Sequence, residues 1–156
     1  MGLDMSLSAE VYIGGEYEHR EVTGKVNISI KDEPIDIAIK DIESIRVTVG
    51  YWRKANAIHN WFVNNCQDGV DDCRTAEVSM ENLIQLKNDC LIVLSNPDTA
   101  EDYLATTSGF FFGNTDYDEY YVQTLNDTVE IVQKAEEISN RIEEHTYVNF
   151  SYSSSW

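Results

Sequence analysis

The hydrophobic residues of this chain change period at Gly50. Before it they alternate. Val26, Ile28 and Ile30 occupy every second place, and Ile35, Ile37 and Ile39 do the same after the polar break Lys31-Asp32-Glu33-Pro34. That pattern predicts a hairpin over residues 24–40, each strand with one buried and one wet face. A third run, Ile45 to Val49, alternates likewise, and Leu7 to Ile13 ends at the turn signal Gly14-Gly15. Four strands are therefore expected before residue 50. After Gly50, Tyr51, Ala55, Ile58 and Phe62 fall at helical spacing, with Trp52, His59 and Cys66 on an adjacent stripe, which predicts a helix over 51–66. A second helix is expected from a cap at Ser79 through Leu83, Leu86, Cys90 and Val93 to Asn96-Pro97. A short helix should occupy 97–104, with proline in its first turn. A loop follows over 105–116. From Asp118, the stripe Val122, Leu125, Val129, Val132, Ala135, Ile138 and Ile142 predicts a long helix. Residues 147–152 read as a final strand and 153–156 as a fraying end. The sum is one α+β domain over 1–156, mainly β over 1–50 and mainly α over 51–145. Its antiparallel sheet would take the N-terminal strands and the C-terminal strand, with about three helices on one face.

The charge excludes partners before it suggests any. Twenty-eight acidic residues stand against 11 Lys and Arg, for a net charge of −17. Such a surface repels phosphate backbones and anionic lipid, so direct nucleic-acid or membrane binding is not expected. A hydrophobic content of 42% is enough for a core. No stretch reaches the roughly 20 apolar residues of a membrane span, and the first residues lack the basic and apolar regions of a signal peptide, so a cytoplasmic address is expected. Three cysteines, Cys66, Cys73 and Cys90, read as reduced thiols rather than a disulfide framework.

Several blocks together carry a resemblance. Met1-Gly2-Leu3-Asp4-Met5, the segment GYWRKANAIHNWF from Gly50 to Phe62, DGVDDC from Asp68 to Cys73, GFFFG from Gly109 to Gly113 and YDEYY from Tyr117 to Tyr121 resemble a family of small bacteriophage and prophage proteins. Ala105-Thr106-Thr107-Ser108 stands where that family is leucine-rich. The resemblance brings no activity with it. It implies a phage origin and a small accessory product acting in the cytoplasm of a bacterial host, where proteins of this size counter defence or metabolism by binding.

The richest cluster of candidate residues is Tyr51, Trp52, Arg53, Lys54, Asn56, His59, Asn60 and Trp61. On one helix these would present a polar stripe with aromatic edges. Arg53 and Lys54 suit a phosphate or carboxylate, and Trp52 or Trp61 a stacking surface. The plainer reading pairs the cations with nearby acids and places the tryptophans in the core. The second candidate is the aromatic segment containing Phe111, Tyr117, Tyr120 and Tyr121. Three consecutive phenylalanines cannot all face one core from an extended chain, so at least one must find another surface. The loop either contributes to a pocket or plugs the space between sheet and long helix.

No metal or cofactor is expected. His59, Cys66 and Cys73 lack the close cysteine pairs of zinc sites. Asn114, Asp116 and Asp118 imitate a calcium loop that fails at Glu119 and Leu125. His59 has no nucleophile or orienting carboxylate close in sequence, so no complete catalytic set is visible. Asp127, Glu130, Glu136, Glu137, Glu143 and Glu144 line the long helix either as a solvated face or as a docking face for a basic host protein such as a nuclease, with carboxylates placed like phosphates. The leading expectation is a non-enzymatic binding protein that sequesters a small anionic, nucleotide-like ligand. An acidic inhibitor or DNA mimic is the alternative, and a small enzyme of nucleotide metabolism the third. Homo-oligomerisation is left open.

Overall fold

The structure is a computed structural model that describes residues 2–14, 27–35, 37–142 and 146–156. Strands β1 (Asp4–Tyr12), β4 (Ser44–Arg53), β5 (Ala76–Val78) and β6 (Val148–Ser155) form one antiparallel sheet in the order β4-β1-β6-β5. A second sheet holds only β2 (Ile28–Ile30) and β3 (Glu33–Ile35). The helices are α1 (Asn56–Cys66), α2 (Met80–Ser95), the single turn α3 (Ala100–Tyr103) and α4 (Glu119–Ile142). The α+β class and the use of N- and C-terminal strands follow the sequence reading.

Alternation along the central strands decides which face is covered. Met5, Leu7, Ala9 and Val11 of β1 are buried, and so are Phe150 and Tyr152 of β6 and Ala76 and Val78 of β5. The intervening Glu10, Glu77 and Asn149 face water. Opposite Leu7 and Ser8, β4 carries one extra residue, because Leu7 pairs with Gly50 and Ser8 with Thr48. This bulge lets the consecutive residues Val49 and Gly50 both be buried, which strict alternation forbids. The helices close over this face. Ile58 and Phe62 of α1, Leu83, Leu86, Cys90 and Val93 of α2, and Leu125, Val132 and Ala135 of α4 join the strand residues in one core.

Helix ends follow local chemistry. Ser79 caps α2, its hydroxyl accepting from the Asn82 N–H at 3.1 Å. Pro97 opens the expected short helical stretch as a 3-10 turn, Pro97–Thr99, that leads into α3. Asp118 accepts from the Tyr121 N–H at 3.0 Å at the start of α4.

Four expectations are corrected. The hairpin turns on Lys31 and Asp32 alone, both at positive φ (51° and 66°) as a type I′ turn requires, so Glu33 and Pro34 belong to a strand. Its isoleucines are not half-buried: Ile28, Ile30 and Ile35 are exposed, because among the described residues no layer covers this two-stranded ribbon. Val26 lies outside the described residues, and Ile39 starts a 3-10 turn, Ile39–Asp41. The sheet strand β4 runs through Tyr51 and Trp52 to Arg53, so the helix begins at Asn56, five residues later than expected. Ser153 to Ser155 do not fray; they continue β6, paired with Ser6, Met5 and Asp4. The short strand β5 was not foreseen.

Candidate functional site

Where β4 ends, the chain turns sharply. Lys54 takes a positive φ of 56°, and its N–H donates to the Leu3 carbonyl at 2.7 Å. The candidate cluster is therefore split between a strand and a helix, and strand alternation separates its members. Trp52 points inward, is buried, and donates its indole N–H to Thr128 Oγ1 at 2.9 Å. Trp61, buried on α1, donates to Asp89 Oδ2 at 2.9 Å. Both indoles are core, with their polar atoms satisfied, and present no stacking face. Tyr51 and Arg53 point outward: the Tyr51 hydroxyl donates to Asp4, and the Arg53 guanidinium lies 3.9 Å from the same carboxylate.

Asn56 organises what remains. Its side-chain amide donates to the carbonyls of Phe112 (3.1 Å) and Asn114 (2.7 Å), while its oxygen accepts from the Thr107 N–H (3.1 Å). One buried carboxamide thus stitches the 105–116 loop to the first residue of α1. Asn60 reinforces the stitch at Ala105 (3.4 Å), Tyr121 at the Leu104 carbonyl (2.9 Å) and Leu3 at the Phe111 carbonyl (3.0 Å). The phenylalanine run is a turn rather than an extended segment, closed by the Phe112 N–H on the Gly109 carbonyl at 3.2 Å, so alternation does not sort its side chains. Phe112 is buried, Phe111 is half-buried, and Phe110 is 94% exposed, its ring perpendicular to that of Phe111 with 4.8 Å between centroids.

Two cavities flank this loop. The first, about 290 Å³, lies between the start of α1 and the start of α4, and Lys54, Asn56, Asn114, Asp116, Tyr120 and Thr124 line it. No side chain caps α1. Its first internal bond is His59 N–H to Ala55 carbonyl, so the preceding helical N–H groups are not used within the helix. The Tyr120 hydroxyl reaches the Arg53 carbonyl, holding its ring between strand and helix. Tyr121, with Tyr117 edge-on at 4.9 Å, is buried, and that burial raises its hydroxyl pKa well above the ordinary value.

The second cavity, about 370 Å³, opens on the other side of the loop. His59, Asp71, Phe110, Phe111, Phe112 and Trp156 form most of it. His59 is fully enclosed, with Nδ1 2.7 Å from the Tyr152 hydroxyl and Nε2 2.9 Å from Asp71 Oδ2. Burial raises the Tyr152 pKa strongly, so the phenol keeps its proton. In the tautomer that carries its hydrogen on Nε2, the imidazole accepts from the Tyr152 hydroxyl at Nδ1 and donates to Asp71. Asp71 also accepts from the Trp156 indole at 3.1 Å. Sequence reasoning missed Asp71 and Trp156. Asp71 is twelve residues from His59, past a reversal at Asp68 and Gly69, both at positive φ, and only that turn brings it back. Tyr152 is fully buried and stacked on Phe62 at 4.1 Å, so Tyr152, His59 and Asp71 form a hydrogen-bonded chain that starts in the core.

The acidic helix is partly occupied. Glu136 receives Lys87 Nζ on both oxygens (2.7 and 2.6 Å), Glu137 lies 3.9 Å from Arg141, and Asp127 accepts from Gln123 at 2.6 Å. Glu130 is exposed, and Glu143 and Glu144 lie outside the described residues. Among the described residues, no cluster of three or more His, Cys, Asp or Glu side chains is arranged to hold a metal ion, and no helix is long and apolar enough to cross a membrane. The three cysteines are unpaired; burial pushes the Cys66 thiol up to about 11 and the Cys90 thiol to about 12. No protein-family model, no curated protein and no solved structure matches the chain.

Proposed function

We propose that the chain is a non-enzymatic phage accessory protein of the bacterial cytoplasm that counters a host defence system by sequestering a small nucleotide-like ligand in the cavity beside Lys54. The observation that carries this reading is the meeting of three features in that cavity. These are the uncapped N-terminus of α1, the Lys54 side chain and the Tyr120 ring. Free helix-end N–H groups and an adjacent ammonium suit a phosphate. The tyrosine ring suits a base face, and Asn114 and Asp116 suit the hydrogen-bonding edge of a base or the hydroxyls of a sugar. The volume matches a single nucleotide rather than a polymer. This arrangement holds an anion locally in a chain whose overall charge repels extended polyanions. The phage setting rests on the sequence blocks alone. A docking role for the acidic α4 has less support, since Glu136 and Glu137 already face Lys87 and Arg141.

Thermal unfolding against mono-, di- and cyclic nucleotides tests the proposal. A bound nucleotide at about 100 times its Kd raises the melting temperature by roughly 5–10 °C, and Lys54→Gln removes most of that gain. A flat response across the whole panel defeats the reading.

A further inference from the structure

The second cavity has a chemistry opposite to the first. Four aromatic residues, Phe110, Phe111, Phe112 and Trp156, line it together with the uncharged Asn60, Thr107 and Ser108, and its one acidic group is Asp71. Asp71 is 29% exposed, and two ring N–H groups, the His59 imidazole and the Trp156 indole, hold its oxygens. Among the described residues no Lys or Arg pairs with it, so the carboxylate is oriented toward the cavity without an ammonium or guanidinium partner. Phe110, almost wholly exposed, lines the cavity with its ring perpendicular to that of Phe111. An exposed phenylalanine gains nothing in hydrophobic energy where it stands. It presents its π-face to whatever enters.

From this juxtaposition we infer that the cavity between Asp71, Trp156 and the Phe110-Phe111 pair binds an organic cation, an alkylammonium or guanidinium group. Aromatic faces carry negative electrostatic potential, and a carboxylate at the base supplies the counter-charge, which is the arrangement that recognises such groups. A net charge of −17 raises the local concentration of any cation. A hard divalent cation seeks six or more oxygen ligands and Asp71 is the one carboxylate of the lining, whereas an organic cation also gains from the aromatic rings. The volume, about 370 Å³, admits a free amine such as choline or the side chain of an arginine from a partner protein. The site lies across the Asn56-held loop from Lys54 and does not depend on nucleotide binding there.

Titration followed by the tryptophan indole N–H signals in NMR, at 0.15 M salt, tests the inference. Choline and N-acetyl-arginine amide should each shift the Trp156 indole with saturation and leave the buried Trp52 and Trp61 indoles unmoved. Their uncharged counterparts, 3,3-dimethylbutanol and N-acetyl-citrulline amide, should not. Phe110→Ala, on a side chain outside the core, should weaken binding roughly 2- to 30-fold with the fold intact. Asp71→Asn should abolish it. Tighter binding of an arginine-containing peptide than of choline assigns the cation to a protein partner, and the reverse order assigns it to a small amine. The inference is overturned if the Trp156 signal stays fixed with both cations, responds equally to the uncharged counterparts, or keeps its wild-type affinity in Phe110→Ala.

Discussion

The side-chain amide of Asn56 lies 2.7 Å from the carbonyl oxygen of Asn114, across 58 residues of sequence. That bond, with its companions at Phe112 and Thr107, separates the two cavities and fixes the loop that walls both. Asn56→Ala leaves two carbonyls and one N–H without their partner. It should destabilise the protein by roughly 2–4 kcal/mol, less than three fully buried orphans would cost because water can reach the loop from either cavity. Urea denaturation measures the loss. Hydrogen exchange should show faster exchange at Thr107 and Phe112, while the β1 and α4 amides keep their protection relative to the lowered global stability.

Gly50 faces Ile131 of α4 so closely that a Cβ there would sit 2.4 Å from Ile131 Cγ2 and 2.7 Å from Cγ1 and Cδ1. Gly50→Ala should therefore cost about 1–3 kcal/mol through overpacking at the point where the long helix crosses β4. Ile131→Ala removes all three clashing atoms. In that background Gly50→Ala should cost less than about 0.5 kcal/mol, giving a coupling energy of opposite sign to the single-mutant losses. Equal costs in both backgrounds would show that the glycine is needed for its backbone rather than for space.

These two sites also show what sequence alone can and cannot disclose. The long helix α4 is legible because its apolar residues hold one face for six turns, and α2 because Ser79 is a strong cap before a periodic run. The start of α1 is not, since Tyr51, Ala55, Ile58 and Phe62 fit helical spacing even though the first of them is in a strand. What overrides the periodicity is tertiary: Tyr51 pairs with Ser6, and the reversal at Lys54 is a positive φ on a residue with no preference for it. β5 has only three residues, too few for alternation to register, and exists because β6 offers it an edge. Ser153 to Ser155 are poor strand formers held by pairing to β1. In the candidate site, Lys54, Asn56, Tyr120 and Tyr121 line one cavity, but residue types alone did not disclose what each side chain bonds. Whether Trp52 stacks on a ligand or fills the core depends on the inward register that the bulge beside Gly50 sets. Asn56, read as a ligand contact, has its amide hydrogens and oxygen bonded to the loop backbone.

The Tyr152 hydroxyl lies 2.7 Å from His59 Nδ1 while its ring stacks on Phe62 at 4.1 Å with an interplanar angle of 11°. Tyr152→Phe preserves the stack and removes the hydroxyl. It should cost about 1–2 kcal/mol, because Nδ1 is left buried without a partner. The imidazole nitrogen shifts provide the independent readout. The wild-type protein should show the Nε2–H tautomer, with its hydrogen directed to Asp71. Finding Nδ1–H in the wild type would reverse the direction of the whole chain from Tyr152 to Asp71.

Alkaline pH should destabilise the fold, and the buried thiols should set where the decline begins. Burial raises Cys66 to about 11 and Cys90 to about 12 from 9.0 in the exposed state. Above about pH 9 the unfolded chain loses these protons while the native chain retains them. The native state then binds more protons than the unfolded state, so stability falls as pH rises, and it continues to fall until the folded thiols ionise in turn. Cys90, the more buried of the two, should contribute a slope approaching about 1.4 kcal/mol per pH unit. Above pH 10 the buried phenols of Tyr121 and Tyr152, whose pKa values burial also raises, should steepen the loss. Urea midpoints from pH 8 to 11 measure the limb. Cys90→Ala should be less stable at pH 8, because it opens a cavity beneath α2, and yet lose less stability per pH unit. A Cys90→Ala limb parallel to the wild-type one would assign the alkaline transition to other groups.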